Sequence, residues 1–140
     1  MLDHVSIPVN DLAHSAAFYD PVLGILGYER CKERQGRIGY GPQDRKAPVF
    51  WIIERESKQS AQPGPGLHIS FMANNRKSVD RFHRTALAHG GQDAGLPGDR
   101  PHYTRPFYGA FVIDPDGYKI EAVFRGAHSQ APLSHRHPVR

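Results

Sequence analysis

Residues 66–75 read "GLHISFMANN" and residues 2–11 read "LDHVSIPVND". Both run histidine, apolar residue, serine, apolar residue, and both reach an asparagine a few positions later. Aligning His68 on His4 sets an offset of 64 residues, which without a gap also pairs Ser6 with Ser70, Asn10 with Asn74, Phe18 with Phe82, Leu23 with Leu87 and Gly27 with Gly91. So many identities at one offset mark an internal duplication.

Each copy opens with a period of two. Val5, Ile7 and Val9 oppose His4 and Ser6, while Ile69 and Phe71 oppose His68 and Ser70, the pattern of a strand with one buried face. A helix follows in each copy. Its cap is expected at Asn10 or Asp11 in the first copy and at Ser78 in the second, where Asp80 also suits the first turn. Phe18, Val22, Leu23 and Leu26 recur at helical spacing, as do Val79, Phe82, Ala86 and Leu87, and both sets are expected in the core. Gly27 and the Gly90–Gly91 pair stop the helices. Pro21 lies inside the first helix and is expected to remove a hydrogen bond or to kink it.

The period then returns to two. "YERCKER", "GRIGYG" and "PVFWIIE" are three strands of the first half, and a segment near "GQDAG", then "YGAFVID" and "YKIEAVF", are their counterparts in the second. Asp116–Gly117 is a hairpin turn between the last two. The fold class is therefore α+β, built of two βαβββ modules. Module one is expected over 1–57 and module two over 66–125. The Pro- and Gly-rich "SKQSAQPGPG" links them, so that 1–125 forms a single domain.

The chain has 140 residues, enough for one domain with one core. Its net charge is +4, but residues 125–140 hold Arg125, Arg136 and Arg140 and no acid, so +3 of the excess sits in a tail and the rest has 15 basic against 14 acidic residues. A nucleic-acid-binding domain needs a basic stripe on its folded face, and none is legible here. The tail, 126–140, lacks periodicity and is expected to be disordered; its His135 and His137 could bind metal adventitiously. No apolar run reaches membrane-spanning length and no secretory leader opens the chain, so a cytoplasmic location is expected. The single cysteine, Cys31, has no internal disulfide partner and reads as a half-buried strand residue.

With "DHVSIPVNDLAHSAAFYDPVLGILGYE" at the start, "GLHISF" in the middle and "FVIDPDGYKIEAVF" near the end, the chain resembles the vicinal oxygen chelate superfamily over roughly residues 1–125. That superfamily includes glyoxalase I, the bleomycin and fosfomycin resistance proteins and the extradiol dioxygenases. The resemblance implies that the two modules pair into a curved, cup-like mixed sheet with the helices on its outer face. It also implies one divalent transition metal per site (Fe2+, Ni2+, Mn2+ or Zn2+), held by His4, His68 and Glu121. Strand alternation is compatible with this set. The two histidines face away from the apolar rows, and Glu121 alternates with Ile120 and Ala122, so all three are expected to enter one cavity.

Trp51 falls where glyoxalase I carries a fourth ligand, and Phe111 falls where the extradiol pattern has a tyrosine. Trp51, Ser6, Ser70 and Arg105 are the expected substrate contacts. The loop "LPGDRPHYTRPFYG" supplies His102, Tyr103 and Tyr108 as catalytic candidates: the imidazole for proton transfer, and the phenols to replace the missing hydroxyl. The implied activity is a metal-dependent lyase of the glyoxalase type or an extradiol-type dioxygenase, acting on a small substrate in a homodimer. The alternative is a metal-free binding protein of the bleomycin resistance type, with Trp51, Phe50, Tyr103 and Tyr108 as stacking surfaces.

Overall fold

The computed structural model describes residues 1–45, 47–56, 63–103 and 105–126. The linker residues 57–62 and the tail beyond 126, with His135 and His137, lie outside them. Module one runs β1 (Val5–Val9), α1 (Leu12–Ile25), β2 (Tyr28–Arg34), β3 (Arg37–Pro42) and β4 (Phe50–Glu54). Module two runs β5 (His68–Met72), α2 (Arg76–Ala88), β6 (Gln92–Asp99), β7 (Tyr108–Ile113) and β8 (Lys119–Phe124). Strand order is β1-β4-β3-β2 in sheet one and β5-β8-β7-β6 in sheet two. The first strand of each module pairs in parallel with the last, and the other pairings are antiparallel. The duplicated sequence thus builds the same mixed sheet twice.

Two local details differ from the sequence reading. Asp11 caps α1, accepting from the His14 amide at 2.9 Å, but α2 is capped by Asn75, which accepts from the Ser78 amide at 2.8 Å. Ser78 therefore donates to the cap and lies inside the helix; Asn75 precedes it by the three residues that an N-cap side chain spans. Leu87 is 42% exposed, whereas its repeat partner Leu23 is fully buried. The two helices do not bury the same arc, because they pack on each other as well as on their own sheets. Pro21 sits within an α1 that runs unbroken to Ile25. Gly27 and Gly90 take left-handed φ values of +85° and +92°, as terminators of that kind require. Gly91 serves a different need, since a Cβ there would lie 2.9 Å from the Phe18 ring of α1.

One core spans both modules. Val9, Val22, Leu23 and Ile52 share it with Phe82, Val112 and Ile120, and Phe71 meets the Tyr28 and Phe50 rings edge-on at 5.6 and 5.3 Å. Polar bonds fasten the same seam. Tyr19 donates to the Asp114 carboxylate, the Tyr118 hydroxyl donates to the Pro8 carbonyl at 2.8 Å, and the Asn10 amide donates to Asp116 Oδ1 at 2.9 Å. Asp114 Oδ1 also accepts from the Asp116 and Tyr118 amides at 2.9 and 2.8 Å. Burial outweighs these bonds and pushes the Asp114 carboxyl up to about 6. Burial and the facing Asp114 in turn hold the Tyr19 phenol well above its ordinary value.

Candidate functional site

The helices cover one face of each sheet, and the opposite faces carry the chemistry. On sheet one, Ser6 and Trp51 are register partners, and His4 precedes Ser6 by two positions. These three line a cavity of about 400 Å³ with Asp3, Arg37, Ala47 and Pro48. His4 is exposed and its Nδ1 lies 2.6 Å from Asp3 Oδ1. The Trp51 indole crosses Gly39, where a Cβ would meet the ring at 3.0 Å, so glycine is what lets tryptophan lie flat on this face. Glu54 leaves this face, as its odd spacing from Trp51 predicts, and accepts from the Leu12 amide at 3.3 Å. Sheet one thus offers an imidazole, a hydroxyl and an indole, with no carboxylate following Trp51 on that face.

On sheet two, His68 Nε2 lies 3.4 Å from Glu121 Oε2. The histidine side chain is half-exposed while Glu121 is only 4% exposed, so the carboxylate lies beneath an imidazole that solvent reaches. Ser70 is the register partner of Glu121 on one side and Phe111 on the other. The His68 and Phe111 rings are 6.3 Å apart. Lys119 pairs in register with His68 and holds its ammonium 4.7 Å from the Phe111 ring centroid, which sets a cation at the rim of the carboxylate site. The sequence reading passed over Lys119, although its place two residues before Glu121 in "YKIEAVF" already assigns it to the same face.

The structure therefore joins His68 to Glu121 and leaves His4 with Trp51 on the other sheet. Among the described residues no three His, Cys, Asp or Glu side chains gather closely enough to hold a metal within one chain. This departs from the expectation of one shared cavity. The reason is topological: β1 and β5 are both edge strands, and the two sheets are not hydrogen-bonded to each other within the chain.

The loop residues also separate. His102 packs edge-on against Tyr103 at 4.5 Å, and Tyr103 against Phe107 at 4.6 Å. Phe107 stacks on Phe111 at 6.4 Å. The Tyr108 hydroxyl donates to Asp80 Oδ1 on α2 at 2.6 Å, a bond that pushes the phenol up to about 12. Tyr108 alternates with Phe111 across the sheet, so its hydroxyl lies on the helix side and does not replace the one missing beside Glu121. Arg105, Tyr103 and Tyr108 line a separate cavity at the end of sheet two.

Paired βαβββ modules with an imidazole and a buried carboxylate on an open sheet face define a protein of the vicinal oxygen chelate class. The chain belongs to the Glyoxalase/Bleomycin resistance protein/Dioxygenase superfamily, whose family model matches residues 1–122. The crystal structure of a glyoxalase/bleomycin resistance protein from Albidiferax ferrireducens T118 is 35% identical, has a TM-score of 0.78, and the match covers 88% of this chain and 98% of that one. The lactoylglutathione lyase of Salmonella typhimurium is 29% identical over 129 residues, covering 86% of this chain and 89% of the lyase. A fosfomycin resistance protein from Listeria monocytogenes, solved with Mn(II) and a dihydroxypropylphosphonic acid, shares the fold at a TM-score of 0.63 and 20% identity, with 87% of each chain covered. No helix among the described residues is long and apolar enough to cross a membrane.

Proposed function

We propose that the protein is a divalent-metal-dependent enzyme of the glyoxalase type, a lyase that acts on a small substrate through two neighbouring oxygens in a cytoplasmic homodimer. The observation that carries this reading is the burial of Glu121 directly beneath the half-exposed His68. A buried carboxylate is costly without a cation, and imidazole with carboxylate is a donor pair suited to Fe2+, Ni2+, Mn2+ or Zn2+. His4 would complete the set from the partner subunit, because sheet one carries the third donor and sheet two the other two. Exposed apolar side chains, Leu67 and Met72 at 48% and 69%, flank the carboxylate-bearing face and favour its burial against a second copy.

The metal would supply Lewis-acid stabilisation of the anion that develops on the substrate. The chain's own residues do the rest. Lys119 favours an anionic substrate at the rim, Ser6 and Ser70 offer hydroxyls to its polar atoms, and Trp51 with Phe111 forms apolar walls that exclude water. Phe111 in place of the extradiol tyrosine, together with the similarity to a lactoylglutathione lyase, favours the lyase over the ring-cleaving dioxygenase. Trp51 on sheet one and Phe111 on sheet two, the rings on the open faces, support the second reading, a metal-free binding pocket for planar ligands.

Metal content separates the two. Protein purified anaerobically, or reconstituted with each of the four metals, is expected to hold about one ion per chain by mass spectrometry, a dimer's worth of two sites. His68→Ala is expected to lose that ion, whereas His135→Ala/His137→Ala retains it. A chain that takes up no metal, or a His68→Ala variant with full occupancy, would overturn the metalloenzyme reading.

A further inference from the structure

At the end of sheet two, where β6 finishes, β7 begins and α2 starts, a cavity of about 250 Å³ is lined by Arg76, Arg100 and Arg105 together with Tyr103, Phe107 and Tyr108. Asp99 is the one carboxylate among its lining residues and Asp80 stands behind the lining Tyr108, so three guanidinium groups face two negative charges. We propose that this cavity is a second binding site, separate from the open sheet faces, for a small planar ligand bearing one phosphate or carboxylate.

Two of the guanidinium groups are held in place before any ligand arrives. Arg76 donates to Asp99 Oδ1 at 2.7 Å and lies 4.7 Å from the Tyr108 ring centroid. Arg100 donates to the Leu96 carbonyl at 3.0 Å. A planar fork fixed in this way loses little freedom on meeting an anion, which is the condition for a strong charge-assisted contact. Arg105 is exposed and makes no ion pair among the described residues, so at least one cation in the wall is uncompensated. The Tyr103 ring is exposed and suits an aromatic body, with the buried Phe107 behind it at 4.6 Å. The volume falls just below the roughly 300 Å³ at which drug-sized sites begin, which limits the ligand to a small one.

The internal duplication shows what this place holds when the chain itself fills it. Arg76 is the repeat counterpart of Leu12, at the same offset of 64. In module one the Leu12 amide is met by the Glu54 carboxylate from the end of β4. Val9 pairs with Glu54 in sheet one, and in sheet two Met72 pairs with Val123, so the next step sets Phe124 opposite Ala73, the counterpart of Val9. Module two thus has phenylalanine where module one has its own anion, and arginine in place of leucine. Asp99 offsets Arg76 from the end of β6, and the charge left on Arg100 and Arg105 is the arrangement expected where a further negative group arrives with a ligand.

The site lies apart from His68. Phe107 and Phe111 stand in between, with centroid steps of 6.4 Å from Phe107 to Phe111 and 6.3 Å from Phe111 to His68. Tyr108, which lines the cavity, bonds to α2 on the opposite side of the sheet from Glu121. The cavity therefore shares no lining residue with the His68–Glu121 pair.

The test is an amide-resolved NMR titration of the full chain at low ionic strength with phenyl phosphate, benzoate, inorganic phosphate and phenol. Saturable shifts are expected at Arg76, Asp99, Arg100 and Tyr108, with phenyl phosphate and benzoate both binding and their ranking identifying the preferred anion. Phenol, which lacks the charge, is expected to bind about tenfold or more weakly, and added salt to weaken both anions. Arg100→Ala/Arg105→Ala is expected to lose about tenfold or more in affinity while keeping a dispersed spectrum, and Arg34→Ala, an exposed arginine on sheet one, to change nothing. Absence of saturable binding, unchanged affinity in the double variant, or shifts centred on His68, Ser70 and Trp51 would overturn the proposal.

Discussion

The two modules share a backbone plan and differ in what they place upon it. Both open with an edge strand that has a histidine at its start or just before it and close with a parallel partner, yet at the position one strand across module one carries Trp51 and module two carries the buried Glu121. The helices diverge likewise. Tyr19 of α1 and His83 of α2 are repeat counterparts, and both are buried polar groups bonded to an aspartate. Tyr19 reaches across the seam to Asp114 of the other module. His83 stays within its own, with Nε2 2.9 Å from Asp93 Oδ1, a contact that holds the Asp93 carboxyl below its ordinary range. Duplication fixed the scaffold, and divergence left a buried carboxylate on one sheet face and an indole on the other.

The largest contrast is expected in the core. Leu23→Ala empties a fully buried site and is expected to cost about 2–5 kcal/mol, while its counterpart Leu87→Ala is expected to stay within about 0.5 kcal/mol. Urea denaturation of the two variants measures both, and equal losses would mean that α2 buries the same arc as α1.

The seam between the modules also carries a pH dependence. A carboxyl raised to about 6 binds its proton more tightly in the folded chain than in the unfolded one, where its ordinary value is 3.8. The stability that Asp114 contributes is thus fully present below its unfolded value and lost as pH rises through about 6. A displacement of that size corresponds to about 3 kcal/mol. Asp114→Asn, which cannot ionise, is expected to gain that much relative to the native chain between pH 4 and pH 7 in urea titrations. Parallel pH profiles would show that the buried carboxyl is not raised.

These contrasts also show what the amino-acid order made legible. The offset of 64 carries the whole architecture, because alternation and helical spacing are local patterns that a duplicated module states twice. Glu121 was legible from its alternation with Ile120 and Ala122. The separation of His4 from His68 was not, since no local pattern encodes how two edge strands meet. The role of Tyr108 was lost for a similar reason: a loop residue becomes the first residue of β7, and only the pairing of that strand decides which face its hydroxyl takes. The cap of α2 was misplaced by three residues because Asn75, Ser78 and Asp80 are all good first-turn residues. The smallest expected effect addresses that point: Asn75→Ala is expected to cost about 1 kcal/mol and Ser78→Ala clearly less, by thermal or urea unfolding.

The proposed arrangement draws the donors of each metal site from two copies of the chain. Its most direct test is to co-express His4→Ala with Glu121→Ala and measure metal occupancy in the mixed population. Each variant alone is expected to hold almost no ion. In a mixed dimer one site loses both donors and the other keeps its full set, so random pairing is expected to restore about a quarter of native occupancy. Occupancy no higher than in the separate variants would contradict a site shared between subunits.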